Sequence, residues 1–319
     1  MGNQLNWGIV GTGKMAHKFA HDMQLDERSK LLAVASRSSE KAEIFRQAYR
    51  IELAFSSYRD LFQDERIDIV YIATPHTSHA SLSIEAMKAG KHVLCEKPSA
   101  MSKEELAPVI QKSRECGLFY MEAMWSRFNT AIRQVLDSEL RQQLGEIKYI
   151  NADFCFRANY DPSSRLFDPN LGGGSLLDIG IYPAFLAYSL LGMPEQIMSS
   201  RNERVAGVDT QSAFVFRYPD AHALLFSSFD VNSRMEARIY GRDASVFIKH
   251  RWHESAEIEI NYGDTSEIRA YVPVGNGYYN EIVHCRECIA EKKLESDLWS
   301  HQRSLDLIEI LDRIRFSAE

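Results

Sequence analysis

Trp7-Gly8-Ile9-Val10-Gly11-Thr12-Gly13-Lys14-Met15-Ala16 is the stretch from which the architecture of this chain can be read. The apolar run ending at Val10 has the character of a buried strand, and the amphipathic pattern that follows is helical, so the glycines fall in the turn between them. In that frame Gly11 permits the tight turn, Gly13 lets the backbone approach a pyrophosphate, and Ala16 allows close helix–sheet packing. Thr12, Lys14 and Met15 complete the turn. The first N–H groups of the helix, at its positive dipole end, then face the phosphates. The stretch predicts a dinucleotide site.

Outward from this turn, apolar runs at 5–10, 31–35, 67–74 and 92–95 alternate with helical patterns at 15–23, 40–49, 78–89 and 103–116. Strand–helix repetition of this kind builds a parallel sheet covered on both faces. Phe19 and Met23, four residues apart, supply one inward stripe, and Ser102 followed by Glu105 resembles a capping box. After about residue 122 the texture changes. A helix at 129–137 precedes alternating strands at 149–156, 210–217, 224–231, 238–240 and 258–262, which predict a second domain on a largely antiparallel sheet. The expected division is 1–122 and 123–319. The loop 157–173 is long enough to be functional or mobile.

The 319 residues are 45% hydrophobic and 25% charged, with a formal net charge of -7. An acidic balance argues against wrapping nucleic acid or docking to an acidic membrane surface. The first residues lack a secretory pattern, and the apolar stretch 179–193 is expected to be too short to span a bilayer. Cys95, Cys116, Cys155, Cys285 and Cys288 are an odd, scattered set, as expected of reduced thiols in the cytoplasm. His284-Cys285-x-x-Cys288 invites a metal, but the segment reads as helix without a second ligand pair, so no metal is expected.

The end of the second strand selects the nucleotide. Ala35-Ser36-Arg37-Ser38, with Lys41 close behind, offers no acid for a ribose 2'-hydroxyl. Arg37 instead suits a 2'-phosphate, with Ser36 and Ser38 as hydrogen-bond donors. NADP is expected, with NAD as the alternative.

Lys97 follows a short apolar strand in Glu96-Lys97-Pro98, at the carboxyl edge where doubly wound folds meet their ligands. The order Gly11-x-Gly13-x-x-Ala16, Ala73-Thr74-Pro75-His76-x-x-His79, Glu96-Lys97-Pro98 and Gly172-Gly173-Gly174 to Asp178 and Tyr182 resembles the glucose-fructose oxidoreductase and inositol dehydrogenase family. The resemblance spans both domains. The blocks 121–128 and 165–182 look most like its dimeric dihydrodiol dehydrogenase and D-xylose dehydrogenase branch. It implies an α/β protein: a Rossmann domain, then a substrate-binding α/β domain with a large, mainly antiparallel open sheet whose outer face is the expected homodimer surface. It also implies that Lys97 is the family's lysine and Tyr182 its acid–base residue. Many members carry His in place of Tyr182, which puts an inositol substrate in doubt. Thr74, Pro75, His76, His79 and Glu96 join Lys97 as expected cofactor contacts, although the two histidines equally suit capping of the next helix.

The chemistry agrees with this mapping. An alcohol being oxidised loses its hydroxyl proton as hydride departs, and Tyr182 is the expected acceptor. A phenol ordinarily titrates near pH ~10, so an ammonium such as Lys97 favours its ionised form. Asp178 lies four residues before Tyr182 and is expected on the same face, to orient substrate or fix Lys97. Trp125, Phe154, Phe156, Trp252, Tyr278 and Tyr279 are candidate walls of a pocket for a dihydrodiol, sugar or other polyol, and Arg127 and Arg165 are candidate substrate contacts. Two rivals remain at this point: a non-catalytic NADP-binding regulator, which has no use for a proton relay, and a glycosidase of the same family that uses nicotinamide transiently.

Overall fold

The computed structural model describes residues 4–205 and 207–316. They form two compact units, one running to Phe128 and including Val274–Leu305, the other comprising Asn129–Pro273 and the described residues from Asp306.

The first unit holds six parallel strands: β1 (Leu5–Val10), β2 (Ser29–Ala35), β3 (Leu53–Phe55), β4 (Ile69–Ile72), β5 (His92–Glu96) and β6 (Tyr120–Ala123). Their order is β3-β2-β1-β4-β5-β6, so the chain adds strands outward in one direction from β1 and then in the other from β4, as a doubly wound nucleotide fold requires. Helices α1 (Lys14–Met23), α2 (Ser39–Tyr49), α3 (Tyr58–Gln63), α4 (His79–Lys88) and α5 (Lys103–Cys116) link the strands. The predicted stripe of α1 is buried, and Phe19 stacks on Tyr71 of β4 with ring centroids 3.7 Å apart. Ser102 caps α5 by accepting the Glu105 amide at 3.4 Å, while Glu105 reaches back to the Met101 amide at 3.1 Å, one residue before the reciprocal contact of a capping box.

The edge strands β3 and β6 escape the sequence pattern. One has three residues and the other reads Tyr-Met-Glu-Ala, where Glu122 interrupts the apolar run although it is buried.

The second unit opens with α6 (Thr130–Asp137) and α7 (Glu139–Gln143). Its eight strands are β7 (Ile147–Cys155), β8 (Gln196–Val205), β9 (Val208–Arg217), β10 (His222–Ser228), β11 (Ala237–Gly241), β12 (Ser245–Ile248), β13 (Glu257–Tyr262) and β14 (Thr265–Ala270). The order is β14-β13-β12-β11-β7-β10-β9-β8, and only the β7–β10 pair is parallel. One face is covered by α8 (Ile181–Leu191), whose residues are nearly all buried. The other leaves Met198 and Leu224 exposed, as an antiparallel sheet with a single covered face allows.

Two expectations are revised. The chain does not divide once at 122, because Val274–Leu305 returns to the first unit, where α9 (Tyr279–Ala290) packs against α1. The apolar stretch also proves longer than 179–193: Pro169–Leu191 meets the length and composition of a membrane-crossing helix. Its most apolar window is 83% buried within the protein, so it serves as the core helix of the second sheet. The last helix is α10 (His301–Phe316).

Candidate active site

Gly11 has φ +105°, and a Cβ there would stand 2.6 Å from the Ala73 carbonyl oxygen, so only glycine lets β1 turn past β4. A Cβ on Gly13 would meet nothing within 4 Å. That open ground lies at the N-terminus of α1, whose cap makes no side-chain hydrogen bond. The first backbone N–H groups of a helix that begins, with a glycine cap, at the end of a parallel strand fit a pyrophosphate. Thr12 Oγ1 lies 3.5 Å from Ser36 Oγ, which also accepts the Ser38 amide at 3.3 Å, and these bonds join the glycine turn to the end of β2. Arg37 and Lys41 are exposed there and no carboxylate stands at the strand end, so the donor set fits a 2'-phosphate. Ser38 has a structural part as well: its hydroxyl accepts the Lys41 amide at 3.3 Å and caps α2, which leaves its proton to donate.

Lys97 is 7% exposed and its peptide bond to Pro98 is cis. The backbone around it is held from both sides. Glu96 Oε2 accepts the Lys97 amide at 3.2 Å, and Glu122 Oε1 accepts the Ser99 amide at 2.9 Å. Trp299 Nε1 secures the other Glu122 oxygen at 3.1 Å. Burial pushes both carboxyls above the usual range, while the Lys97 ammonium pulls both down.

His79 departs from its expected place at the cofactor. Its Nδ1 lies 2.7 Å from the Pro98 carbonyl and its Nε2 lies 2.8 Å from the Thr74 carbonyl. Two carbonyl partners favour the imidazolium, but complete burial outweighs them and pushes the imidazole down. His79 therefore clamps the loop after β4 to the lysine's loop. Thr74 Oγ1 and Ser78 Oγ, 2.7 Å apart, and the Ser78 bond to the Pro75 carbonyl at 2.8 Å close the same turn, in which His76 is buried.

In the second unit a π-helical turn, Leu176–Gly180, runs directly into α8, so Asp178 and Tyr182 lie on one continuous helical segment. Such turns put an extra residue into a helix and recur at functional sites. Gly174 starts the segment with φ +124°, and a Cβ there would sit 2.6 Å from Asp209 Oδ1. Arg165, from the long loop, donates to Asp178 Oδ1 at 3.0 Å; its side chain is 55% exposed, against 10% for Asp178. Two predicted substrate contacts thus meet each other.

Tyr182 is 5% exposed in an aromatic group with Phe154 and His253, each with its ring centroid 5.3 Å away. Phe154 and His253 stack at 4.1 Å, and Phe156 lies edge-on to Phe154.

Other expected substrate contacts turn inward. Trp252 is fully buried, and its indole N–H donates to the Asp153 carbonyl at 2.9 Å. Consecutive residues diverge here: Trp252 anchors the turn and His253 reaches Tyr182, although only Trp252 stood out in the sequence. Arg127 is also buried, with Nε donating to the Leu298 carbonyl at 3.1 Å. Trp125 stacks on Tyr278 and is 5% exposed.

His284, Cys288 and Asp297 bring one donor atom each within 4.8 Å of one another, while Cys285 is buried. Ser296 Oγ accepts the Leu298 and Trp299 amides at 3.0 and 2.9 Å, which leaves its proton for His284 Nε2 at 2.7 Å. Burial pushes the Cys288 thiol up to about 11. The group closes on itself as a hydrogen-bonded turn.

Residues 5–124 match the family model described as oxidoreductase family, NAD-binding Rossmann fold, and residues 130–247 match the GFO/IDH/MocA C-terminal domain. Trans-1,2-dihydrobenzene-1,2-diol dehydrogenase of Mus musculus is 32% identical, over 98% of this chain and 96% of the relative. The NADP(+) scyllo-inositol 2-dehydrogenase of Bacillus subtilis is 29% identical, again over 98% and 96%. Among solved structures, an aldose-aldose oxidoreductase from Caulobacter crescentus complexed with glycerol superposes with a TM-score of 0.88 at 25% identity, covering 98% of this chain and 96% of that one.

Proposed function

This chain belongs to the GFO/IDH/MocA oxidoreductase family, and from that premise we propose that it oxidises a secondary alcohol of a trans-dihydrodiol or sugar, or reduces the matching carbonyl, with NADP. It is an NAD(P)-dependent enzyme acting on CH–OH groups. The observation that carries the finer reading is the continuous segment bearing Asp178 and Tyr182, with Tyr182 set in an apolar aromatic group.

The turn from Gly11 to Met15 would hold the pyrophosphate, Arg37, Ser36 and Lys41 the 2'-phosphate, and the loop Thr74–His76 with Glu96 and Lys97 the nicotinamide end. When bound, NADP supplies the hydride acceptor or donor. In oxidation Tyr182 takes the hydroxyl proton, and in reduction it returns one. The Lys97 ammonium favours the phenolate and stabilises negative charge on the substrate oxygen. Asp178, oriented by Arg165, accepts a substrate hydroxyl, while Phe154 and Phe156 line the apolar side. Acid–base assistance of this kind is worth roughly 10²–10⁴ in rate.

The exposed apolar side of the eight-stranded sheet, with Met198 and Leu224, supports a homodimer. Five cysteines without disulfides support the cytoplasm as its compartment.

The test is nicotinamide absorbance with NADP and NAD in parallel, against trans-dihydrodiols, D-xylose, D-glucose and their carbonyl partners. Saturable NADP turnover with one class, lost on Tyr182→Phe with NADP affinity retained, is the expected result. Tight NADP binding without turnover across the panel would sink the dehydrogenase reading in favour of a sensor.

A further inference from the structure

Tyr278 stands 182 residues after Glu96 in the chain, yet its hydroxyl reaches both Glu96 Oε1, at 3.4 Å, and Met15 Sδ, at 3.1 Å. Its place is built from several directions. The ring stacks on Trp125 with centroids 5.6 Å apart and meets Tyr71 and Phe19 edge-on. Its amide donates to Asp22 Oδ2 at 2.9 Å, and the Asn276 amide donates to the same buried carboxylate at 2.8 Å. Gly277 has φ +105° and approaches Trp125 so closely that a Cβ would fall 2.8 Å from its ring. Tyr278 is 1% exposed, so it cannot be the pocket wall its aromatic character suggests.

We propose that Tyr278 is a positioning residue for the reaction: its phenol ties the dinucleotide turn, through Met15, to the Glu96 carboxylate that holds the Lys97 backbone amide. The inference rests on the role proposed for Lys97.

Glu96 is faced by the Lys97 ammonium, the Tyr71 and Tyr278 hydroxyls, the Cys95 thiol and the Glu281 carboxyl, and Glu281 is faced in turn by Glu122. Tyr71 donates to Glu96 Oε1 as well, so one carboxylate oxygen serves two phenols and the other serves the lysine's amide. Burial pushes the Glu96 carboxyl up, and the phenols and the ammonium oppose it by favouring the ionised form. Loss of the Tyr278 hydroxyl therefore moves Glu96 further up and weakens its hold on Lys97 at pH values where the wild type keeps it ionised.

Tyr278→Phe keeps the ring and its packing, so the variant separates positioning from bulk. Without cofactor, its thermal midpoint should trail the wild type by a margin that widens as pH rises through the titration of Glu96. With NADP and substrate, kcat should fall roughly tenfold, as for loss of a hydrogen bond to a charged group, and its acid limb should move to higher pH. Adding Tyr278→Phe to Glu96→Gln should produce no further pH-dependent loss, which makes the pair strongly non-additive. A pH-independent midpoint difference, additive losses, or unchanged kcat each overturn the assignment and leave Tyr278 a packing residue. Absence of turnover in the wild type defeats the proposed function instead, and the cofactor-free midpoints still decide whether the phenol engages Glu96.

Discussion

Asp209 Oδ2 accepts the Leu176 amide at 2.8 Å and the Ser175 and Ser212 hydroxyls at 2.6 and 2.8 Å, so one buried carboxylate anchors the start of the helical segment carrying Asp178 and Tyr182. Asp209→Ala leaves three donors inside the protein without their acceptor. At ~1–3 kcal/mol for a stranded buried group, partly relieved by relaxation, the variant should lose about 3 kcal/mol of stability, measured by denaturant unfolding. Asp209→Asn, which retains one acceptor oxygen, should recover part of the loss. Equal stability of both variants and wild type would show that the segment is held by packing alone.

Arg165 brings an exposed guanidinium to the nearly buried Asp178, and a pair this open is worth little to stability. Its effect should be kinetic. Arg165→Ala is expected to lower kcat/KM for the alcohol about tenfold or more through a disordered Asp178, with NADP affinity and melting temperature nearly unchanged. A loss confined to NADP affinity would contradict the substrate-side placement.

The two glycines of the first turn should respond oppositely. Gly11→Ala forces a Cβ against the Ala73 carbonyl at positive φ and should destabilise the protein by a few kcal/mol, on the order of other strained sites, even without cofactor. Gly13→Ala meets only open space, so its melting temperature should stay close to wild type while NADP affinity falls because the Cβ stands where phosphate would approach. Calorimetry on the two apoproteins and NADP titration of Gly13→Ala check the contrast.

Arg37 is exposed at the end of β2, and Arg37→Ala should weaken NADP by roughly tenfold or more while leaving NAD nearly unchanged, since only NADP carries the 2'-phosphate. Parallel binding titrations decide it; equal losses for the two nucleotides would remove Arg37 from the contact.

Glu281 is fully buried, neither carboxyl oxygen finds a hydrogen-bond partner among the described residues, and burial followed by the charges of Glu96 and Glu122 pushes it well above the usual carboxyl range. The sign follows from linkage. The folded state keeps the proton after the unfolded chain has lost it, so this contribution to stability is full below the unfolded pKa of about 4.5 and declines as pH rises toward the folded value. Glu281→Gln should flatten that decline by up to about 1.4 kcal/mol per pH unit. Melting temperatures from acidic to alkaline pH provide the measurement, and parallel curves for variant and wild type would exclude a protonated Glu281.

Local pattern made much of this protein legible. The β1 turn, the alternation of strands and helices, the missing acid after β2 and the Glu96-Lys97-Pro98 strand end all depend on neighbouring residues, and periodicity and backbone sterics act over the same short range. The edge strands β3 and β6 were illegible because a strand of three or four residues has too few side chains to show a period, and Glu122 looks polar until Ser99 and Trp299 are seen to satisfy it.

Contacts between distant segments lay beyond that reach. Sequence type placed Asp178 and Tyr182 on one helical segment and made His79 a candidate, but only folding brought Asp209 to Leu176, His253 to Tyr182, both carbonyls to His79 and Tyr278 to Glu96. The reason is physical: a buried polar group must find its partner wherever the packed chain supplies one, and the identity of that partner is a property of tertiary geometry rather than of spacing along the chain.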